Sequence, residues 1–240
     1  MSKTVLITGG TRGVGKALVS KCTSPGYSII STGSSDKSVS GAKLNFPNVR
    51  WICCDLSDSK SIAKLAEAIN TEPLDMVIHN AGVQQARNLF DPVEDDLSVA
   101  IETQINFNAP IELTQFLFSN VESTKGTWVY VTSGLAIAPK QSSPIYCANK
   151  AGLRAFCKSF NGQIQREGSD INVCEAILPL VDTDMTQGRG KGKISAEQAA
   201  DEIIQGALNG RKEIHVGKMK LVMQARRVLP NFIENIMLKV

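Results

Sequence analysis

The sequence of 240 residues lacks several features that mark particular classes of protein. No apolar run reaches about 18 residues, so we expect no transmembrane helix. No basic run has the density of a nucleic-acid-binding patch, so we expect no nucleic-acid partner. The six cysteines form no C-x-x-C pair, and none stands at metal spacing from a histidine. A metal site is therefore not predicted.

The cysteines also indicate a compartment. Several of the six lie in apolar runs, where a thiol behaves as a small hydrophobic side chain. We therefore expect reduced thiols and a cytoplasmic location. A secretory signal is not expected, because Gly9 already belongs to a glycine-rich motif near the start of the chain.

Composition and charge are those of an ordinary globular protein. Hydrophobic residues make up 42% and charged residues 20% of the chain, which excludes intrinsic disorder. The net charge of +3 is unevenly spread, because residues 186–240 hold ten Lys and Arg against five Asp and Glu. This basic segment favours an acidic substrate or a membrane surface, or it is merely a solvated face, which is the commonest case.

Strands and helices are predicted to alternate along the chain. The strand segments are nearly continuous apolar runs, which is typical of a parallel sheet covered by helices on both faces. This order predicts a doubly wound α/β sheet, the Rossmann architecture, in a single domain over residues 1–240. Ligands of such sheets bind beyond the carboxyl ends of the strands. Strands are predicted at 3–8, 28–32, 49–54, 75–79, 127–132, 172–178 and 214–216, and helices at 14–23, 59–70, 97–120, 145–167 and 196–208.

A glycine-rich turn directly follows the first predicted strand and opens the first helix. Residues 8–15 are TGGTRGVG, with the spacing G-x-x-x-G-x-G. Gly9 permits a tight turn, and Gly13 and Gly15 let a pyrophosphate and the sheet approach the backbone without a Cβ in the way. Free N–H groups and the helix dipole then favour phosphate. The alternative is an ordinary strand–helix turn.

One tyrosine stands four residues before a lysine on a predicted helix. Tyr146 and Lys150 therefore share one helix face. A phenol has a pKa of about 10 and is a poor acid–base group at neutral pH, but a nearby ammonium lowers that pKa. Such a pair can donate a proton to a substrate oxygen or accept one from it.

The glycine spacing and this Tyr-x-x-x-Lys pair resemble those of the short-chain dehydrogenase/reductase family, and the resemblance covers most of the chain. It implies that Ser133, thirteen residues before Tyr146, hydrogen-bonds the reacting carbonyl. It also implies that the carbonyl of Asn106 helps to hold a water that links Lys150 to solvent, and that Lys150 holds the nicotinamide ribose. The implied catalytic residues are Tyr146, Lys150, Ser133 and Asn106.

The same resemblance implies a site for a nicotinamide dinucleotide. Asp55 matches the acid that bonds the adenine amine, although it also fits a plain Asx turn. Residues 79–82 match an N-N-A-G motif except at His79, which we interpret as structural. Residues 178–185 resemble a P-G-x-V-x-T stretch without its glycine. The implied cofactor-binding residues are Gly9, Thr11, Arg12, Gly13, Val14, Gly15, Ser34, Asp55, Leu56, Asn80, Ala81, Gly82, Tyr146, Lys150, Pro179, Val181 and Thr183.

Residues near the second strand favour NADP(H) over NAD. Gly33 stands where NAD-preferring members carry an acid for the ribose hydroxyl, and Ser34 follows where many NADP-dependent members carry Arg. Arg12 is placed to face a 2′-phosphate, and Lys37 is a second cation nearby. Asp36 is the contrary observation, because it would supply that acid if the strand ended a few residues later. We therefore expect NADP(H) as the cofactor.

The substrate side of the site is less defined by sequence. Residues 83–90, 135–145 and those after Thr183 are expected to wall the cleft, and the apolar segment 135–138 favours a small hydrophobic carbonyl compound. Residues 184–195 include a glycine-rich basic stretch, which we interpret as a substrate lid or as a flexible connection. Apolar positions at helical spacing in residues 224–240 predict docking on the core or on another subunit.

The resemblance also implies a homodimer or homotetramer. Members of the family associate through the helices that correspond to those carrying Asn106 and Tyr146. Apolar side chains on the first of these helices are candidates for that surface, namely Ile101, Ile105, Phe116 and Phe118.

Three functions fit the sequence. The first is NADPH-dependent reduction of a carbonyl to an alcohol, with Tyr146 as the acid. The second is an NAD-dependent alcohol dehydrogenase of the same family, which Gly33 and Arg12 disfavour. The third is a nucleotide-binding redox sensor without turnover, which would have no need of the Tyr-Lys pair. An epimerase or dehydratase of the extended family fits less well, because the chain is short.

Overall fold

Seven parallel strands form one sheet in the computed structural model, which describes residues 2–91, 97–188 and 190–238. The order of strands in the sheet is β3-β2-β1-β4-β5-β6-β7, and every neighbouring pair is parallel. The doubly wound architecture predicted from the sequence is confirmed. The strands are β1 Lys3–Ile7, β2 Tyr27–Gly33, β3 Arg50–Cys53, β4 Met76–His79, β5 Thr127–Ser133, β6 Asn172–Leu178 and β7 Glu213–His215.

Helices cover both faces of this sheet. In β1, Val5 and Ile7 point into one core layer, whereas Leu6 between them points into the other. Both layers are apolar, which explains why the strands are continuous hydrophobic runs rather than alternating ones. The helices are α1 Gly13–Cys22, α2 Asp36–Asn45, α3 Ser59–Ala68, α4 Val99–Thr103, α5 Ala109–Phe116, α6 Phe118–Glu122, α7 Pro144–Arg166, α8 Ala196–Leu208, α9 Met219–Val228 and α10 Pro230–Leu238.

The sequence did not predict helix α2. Its residues are mostly polar, and Ala42 is its buried residue, so it carries almost no apolar periodicity. The helix begins at a capping box in which Ser35 and Ser38 each bond the other's backbone N–H. The start of α2 is therefore defined by local hydrogen bonds, and not by a pattern of apolar residues.

The single helix predicted over residues 97–120 is wrong in detail. It is divided into α4, a π-helix at Gln104–Asn108, α5 and α6. Pro110 stands at the start of α5, and Leu117, with φ −102° and ψ 11°, separates α5 from α6. A proline has no N–H to continue the preceding helix, which is consistent with the change in hydrogen bonding here.

The C-terminal segment forms a pair of helices, α9 and α10, separated at Pro230. Met219 at the start of α9 is buried with Ile137 and Ile177, which anchors α9 on the core. Met219 lies before residues 224–240, so the docking expected of those residues stays a prediction. Other apolar side chains of the pair, such as Leu221 and Phe232, are exposed.

Among the described helices, none is long and apolar enough to cross a membrane. All six cysteines are free thiols.

Candidate functional site

A large cavity lies at the carboxyl ends of the strands, where the strand order reverses between β1 and β4. Its volume is about 790 Å³. Sheets of this type bind ligands at that switch point. The structure brings together here every residue predicted to bind a cofactor, and also Ser133. The lining therefore includes Gly9, Thr11, Arg12, Gly13, Val14, Gly15, Ser34, Asp55, Leu56, Asn80, Ala81, Gly82, Ser133, Tyr146, Lys150, Pro179, Val181 and Thr183.

The glycine turn is tied to the end of strand β4. The Thr8 hydroxyl oxygen accepts hydrogen bonds from the backbone N–H groups of Asn80 and Ala81, both at 3.1 Å. The Asn80 side-chain amide donates back to the carbonyl oxygens of Thr8 and Gly9, at 3.1 and 3.3 Å. These bonds hold the turn in one position at the floor of the cavity.

Glycine is required in this turn for two different reasons. Gly9 and Gly13 have φ of +68° and +53°, a conformation that L side chains rarely adopt. Gly15 is limited by space instead, because an added Cβ would overlap the Gly9 carbonyl oxygen and approach the Asn80 amide nitrogen to 2.6 Å. The spacing thus keeps helix α1 against the turn and its first N–H groups at the cavity, where phosphate would be favoured.

Tyr146, Lys150 and Ser133 meet on the other side of the cavity. Lys150 is buried, and its ammonium donates to the Val131 carbonyl oxygen at 2.9 Å. It also lies 5.8 Å from the centre of the Tyr146 ring. Ser133 ends β5, and its hydroxyl oxygen accepts from the Leu135 N–H at 3.1 Å. Burial lowers the pKa of Lys150 to about 8.

Asn106 is placed differently from the other three. It is fully buried in the π-helix, and its side chain is committed to Val83 in the loop after β4. The amide donates to the Val83 carbonyl at 2.8 Å, and the amide oxygen accepts from the Val83 N–H at 3.0 Å. A Cβ on Gly82 would lie 3.0 Å from this oxygen and 3.5 Å from the Lys150 nitrogen, so Gly82 separates the two groups.

His79 lies in an aromatic stack beneath the cavity. Its ring stacks on Tyr130 and Trp128, with centroids 4.8 and 5.5 Å away. Thr114 lies within hydrogen-bonding distance of both the His79 ring and the Tyr130 hydroxyl. Burial, with a smaller contribution from the charge of Lys150, lowers the pKa of His79 to about 3. The ring is therefore neutral at ordinary pH and fills space, which agrees with a structural interpretation.

Asp55 forms the Asx turn that was one of its two interpretations. Its carboxylate accepts from the Ser57 N–H at 2.9 Å and from the Ser57 hydroxyl at 2.7 Å. Because Asp55 also lines the cavity, the turn holds it there, and the two interpretations are compatible.

The residues used to predict a preference between NADP(H) and NAD lie near the end of β2 and in the glycine turn. Gly33 is the last residue of β2, and a Cβ there would approach Thr11 Cγ2 to 2.7 Å. Arg12 and Ser34 line the cavity. Among the described residues, Asp36 is not part of this lining; it is the first residue of α2 and lies near Cys53.

The segment after β6 closes over the glycine turn. Val181 forms a parallel bridge with Ile194, and the methyl group of Thr183 lies 3.2 Å from where a Cβ of Gly13 would stand. Lys193 fixes the intervening loop by donating to the Thr186 carbonyl at 2.7 Å. Residues of the expected lid line the cavity at 184–186 and 190–192, and Arg189 is outside the described residues. That this segment moves stays a prediction.

The wall expected from residues 83–90 is only partly correct. Val83 and Gln84 line the cavity, whereas Leu89 and Phe90 are exposed to solvent. Further along this segment, Arg87 forms a buried ion pair instead of lining the cavity. The Arg87 guanidinium lies 3.3 Å from the Glu102 carboxylate, and the backbone N–H of Arg87 donates to the Ser142 carbonyl at 3.0 Å.

Sequence reasoning missed the contribution of the C-terminal helices to the cavity. Met219, Val222 and Met237 line it, together with Leu135 and Ala138 of the expected wall. The helical spacing of apolar residues in the tail indicated a docked face. It did not indicate that this face would meet the residues that follow Ser133.

The apolar surface expected for subunit contacts is smaller than predicted. Ile101 and Phe116 are exposed, as that expectation required. Ile105 and Phe118 pack against the core instead, and the ring centroids of Phe118 and Phe160 lie 6.4 Å apart in an edge-to-face arrangement.

A family model described as short chain dehydrogenase matches residues 3–193. The chain belongs to the short-chain dehydrogenase family. Uncharacterized oxidoreductase DltE of Bacillus subtilis is 30% identical to this short-chain dehydrogenase over 235 residues, covering 94% of this chain and 92% of the relative. A 3-oxoacyl-[acyl-carrier-protein] reductase, FabG of Haemophilus influenzae, is 28% identical over 190 residues, covering 77% of this chain and 76% of the relative.

A solved structure supports the same assignment of the fold. A short chain dehydrogenase from Burkholderia cenocepacia in complex with NADP superposes with a TM-score of 0.86 at 19% sequence identity, covering 99% of this chain and 98% of the other. This short-chain dehydrogenase is therefore an oxidoreductase with the Rossmann architecture of its family.

Replacing Gly15 with Ala tests the close packing of the glycine turn. We expect Gly15→Ala to lower the free energy of unfolding by about 1 to 3 kcal/mol, because the added methyl overlaps the Gly9 carbonyl oxygen. Gly162→Ala is the matched control, since this exposed position in α7 has open space around it and should gain about 1 kcal/mol. Chemical denaturation measures both. Equal effects of the two variants would contradict the packing argument.

Burial of Lys150 predicts an unusual pH dependence of stability. Its pKa is about 8 in the folded protein against an ordinary 10.5, so the unfolded chain binds more protons between these values. The free energy of unfolding should therefore increase as the pH rises from 8 to 10.5, so the folded protein becomes more stable over that range.

The measurement is the melting temperature of the nucleotide-free protein across that range. Lys150→Met should melt above the wild type near pH 7, and the difference should shrink as pH rises. Lys64→Met, at an exposed position of α3, should follow the wild type. A constant difference between Lys150→Met and wild type would show that the charge of Lys150 is not the cause.

Proposed function

We propose that this short-chain dehydrogenase reduces a ketone, aldehyde or diketone to an alcohol with NADPH. The observation that carries the proposal is that the Tyr146–Lys150 pair and Ser133 line the same cavity as the glycine turn. A carbonyl held between them could receive hydride and proton in one geometry. The 3-oxoacyl reductase among the relatives acts on a ketone, by its name, which favours the reductive direction.

The glycine turn fits a dinucleotide pyrophosphate. Gly9 and Gly13 leave the turn without side chains at positive φ, and α1 begins at Gly13 with its N–H groups at the cavity. Thr183 and Val181 close the turn from the opposite side. A bound nicotinamide supplies the hydride when it faces the carbonyl carbon.

The protein side of the reaction is a proton transfer to the carbonyl oxygen. Ser133 orients the substrate by donating a hydrogen bond to that oxygen, and Tyr146 donates the proton. The Lys150 ammonium favours the phenolate that Tyr146 leaves behind, and the same ammonium holds the nicotinamide ribose. Lys150 is positioned for this by the Val131 carbonyl, which accepts a hydrogen bond from one of the three N–H groups of the ammonium.

Asn106 would act through its backbone. Its side chain is already paired in both directions with Val83. The proposed water that links Lys150 to solvent would therefore be held by the Asn106 carbonyl, in a π-helix of the kind that is often found at functional sites. This arrangement would return a proton to Tyr146 after each turnover.

NADP(H) is proposed over NAD on the charge at one end of the cavity. Arg12 is exposed at the cavity wall beside the glycine turn, where it would face a 2′-phosphate. Gly33 and Ser34 offer no carboxylate for a free ribose hydroxyl, and Asp36 belongs to the first turn of α2. The NAD-dependent alcohol dehydrogenase is the alternative, which would run the same groups in reverse.

Removal of the Tyr146 hydroxyl tests the chemistry. In a panel of ketones, aldehydes and diketones, we expect Tyr146→Phe to lower kcat by about 100- to 10,000-fold, the usual contribution of a positioned general acid. Its dissociation constant for NADPH should change little. Tyr27→Phe, at the start of β2, is the control and should keep full activity. Near-normal turnover of Tyr146→Phe would rule out the mechanism.

Removal of the Arg12 charge tests the cofactor. We expect Arg12→Ala to raise KM for NADPH about tenfold and to leave KM for NADH nearly unchanged, because the lost contact is a charge-assisted bond to the 2′-phosphate. Lys16→Ala, one turn further along α1 and exposed, should affect neither value. If wild type prefers NADH, or if Arg12→Ala weakens both cofactors equally, the NADP(H) assignment is wrong.

A further inference from the structure

The substrate end of the cavity has an apolar wall built by the C-terminal helices. Met219 packs against the turn that follows Ser133, with its sulfur 2.9 Å from where a Cβ of Gly134 would stand. Val222 and Met237 extend this wall along α9 and α10. The end of α10 contacts the loop before Tyr146, where the Gln141 N–H lies 3.5 Å from the Leu238 carbonyl oxygen. Flexible thioethers and aliphatic groups here would accept an apolar substrate body.

The rim of this wall is positively charged. Lys140, Lys191 and Lys218 line the cavity together with this wall, and Asp55 and Asp184 are the carboxylates among the described lining residues. Lys218 directly precedes Met219, so it stands at the edge of the apolar wall. Its ammonium reaches across to the opposing loop, where a Cβ on Gly192 would come within 2.8 Å of the nitrogen.

Two of these ammonium groups lack a protein partner. In residues 2–91, 97–188 and 190–238, no salt bridge or hydrogen bond engages the side chain of Lys191 or Lys218. The neighbouring Lys193, in contrast, is paired with Asp182 at 3.2 Å. Lys191 and Lys218 come from separate segments, and both line the cavity.

We infer that the substrate is a carbonyl compound with an apolar body and a carboxylate at its far end. This inference rests on the proposed function. The carbonyl lies at Ser133 and Tyr146, the body lies along Met219 and Val222, and Lys218, assisted by Lys191, binds the carboxylate at the rim. Part of the surplus positive charge in residues 186–240 thereby has a specific use.

Matched substrate pairs test the inference. Medium-chain oxo acids and their methyl esters have the same carbon skeleton and differ in charge. We expect wild type to have a higher kcat/KM for the acids. Lys218→Met should lower that preference about tenfold through KM, the usual size for a hydrogen bond to a charged group, and leave the esters unchanged. Lys220→Met, two residues along α9 and exposed, is the control and should leave the preference intact.

Three results would overturn the inference. The first is a wild type without a preference for acids over esters. The second is an equal effect of Lys218→Met on acids and esters. The third is a rise in KM for NADPH in this variant, which would assign Lys218 to the cofactor. Binding of a non-reducible saturated carboxylate to the protein with NADPH, by calorimetry, keeps the test independent of turnover. Weaker binding by Lys218→Met, together with no reduction of any oxo acid or ester, would retain the anion site and reject the reductase.

Discussion

The close approach of the glycine turn to the end of strand β4 is the constraint on which the rest of the site depends. Asn80 bonds the carbonyl oxygens of Thr8 and Gly9, and Thr8 bonds the backbone of Asn80 and Ala81. These bonds cross the point where the order of strands reverses. A Cβ at Gly15 would overlap this turn, so α1 packs where it does only because residue 15 has no side chain. The cavity is the space left between that fixed turn and the ends of β4, β5 and β6.

A buried ammonium is the costly part of this arrangement. Lys150 is almost fully buried, and its charged form is disfavoured enough to lower its pKa to about 8. Charges are rarely buried without a partner. Here the partner is a backbone carbonyl rather than a carboxylate, which leaves the positive charge uncompensated next to Tyr146. The proposed role of Lys150 needs that residual charge, so the cost in stability and the chemistry have the same cause.

Two kinds of local signal made it possible to predict from the sequence the fold and the gathering of the proposed cofactor-binding residues around one cavity. Apolar runs identified the seven strands, and short motifs such as the glycine turn lie at their carboxyl ends, which the sheet brings together. Helix α2 was not predicted, because it is stabilised by the capping box of Ser35 and Ser38 rather than by an apolar face. The π-helix around Asn106 was not predicted because five residues are too few for a change of hydrophobic period to be recognised.

The substrate end depends on contacts between residues far apart in the chain, and this is why the sequence did not reveal it. Met219 lies against Gly134, and Lys218 reaches Gly192, although nothing in either local pattern pairs them. Arg87, in the loop after β4, forms a buried ion pair with Glu102 that no sequence motif indicates. The proposed cofactor end is lined by the backbone of the glycine turn, whereas the proposed substrate end is built from side chains brought by loops and the C-terminal helices. Specificity can therefore change there without disturbing the turn that positions the chemistry.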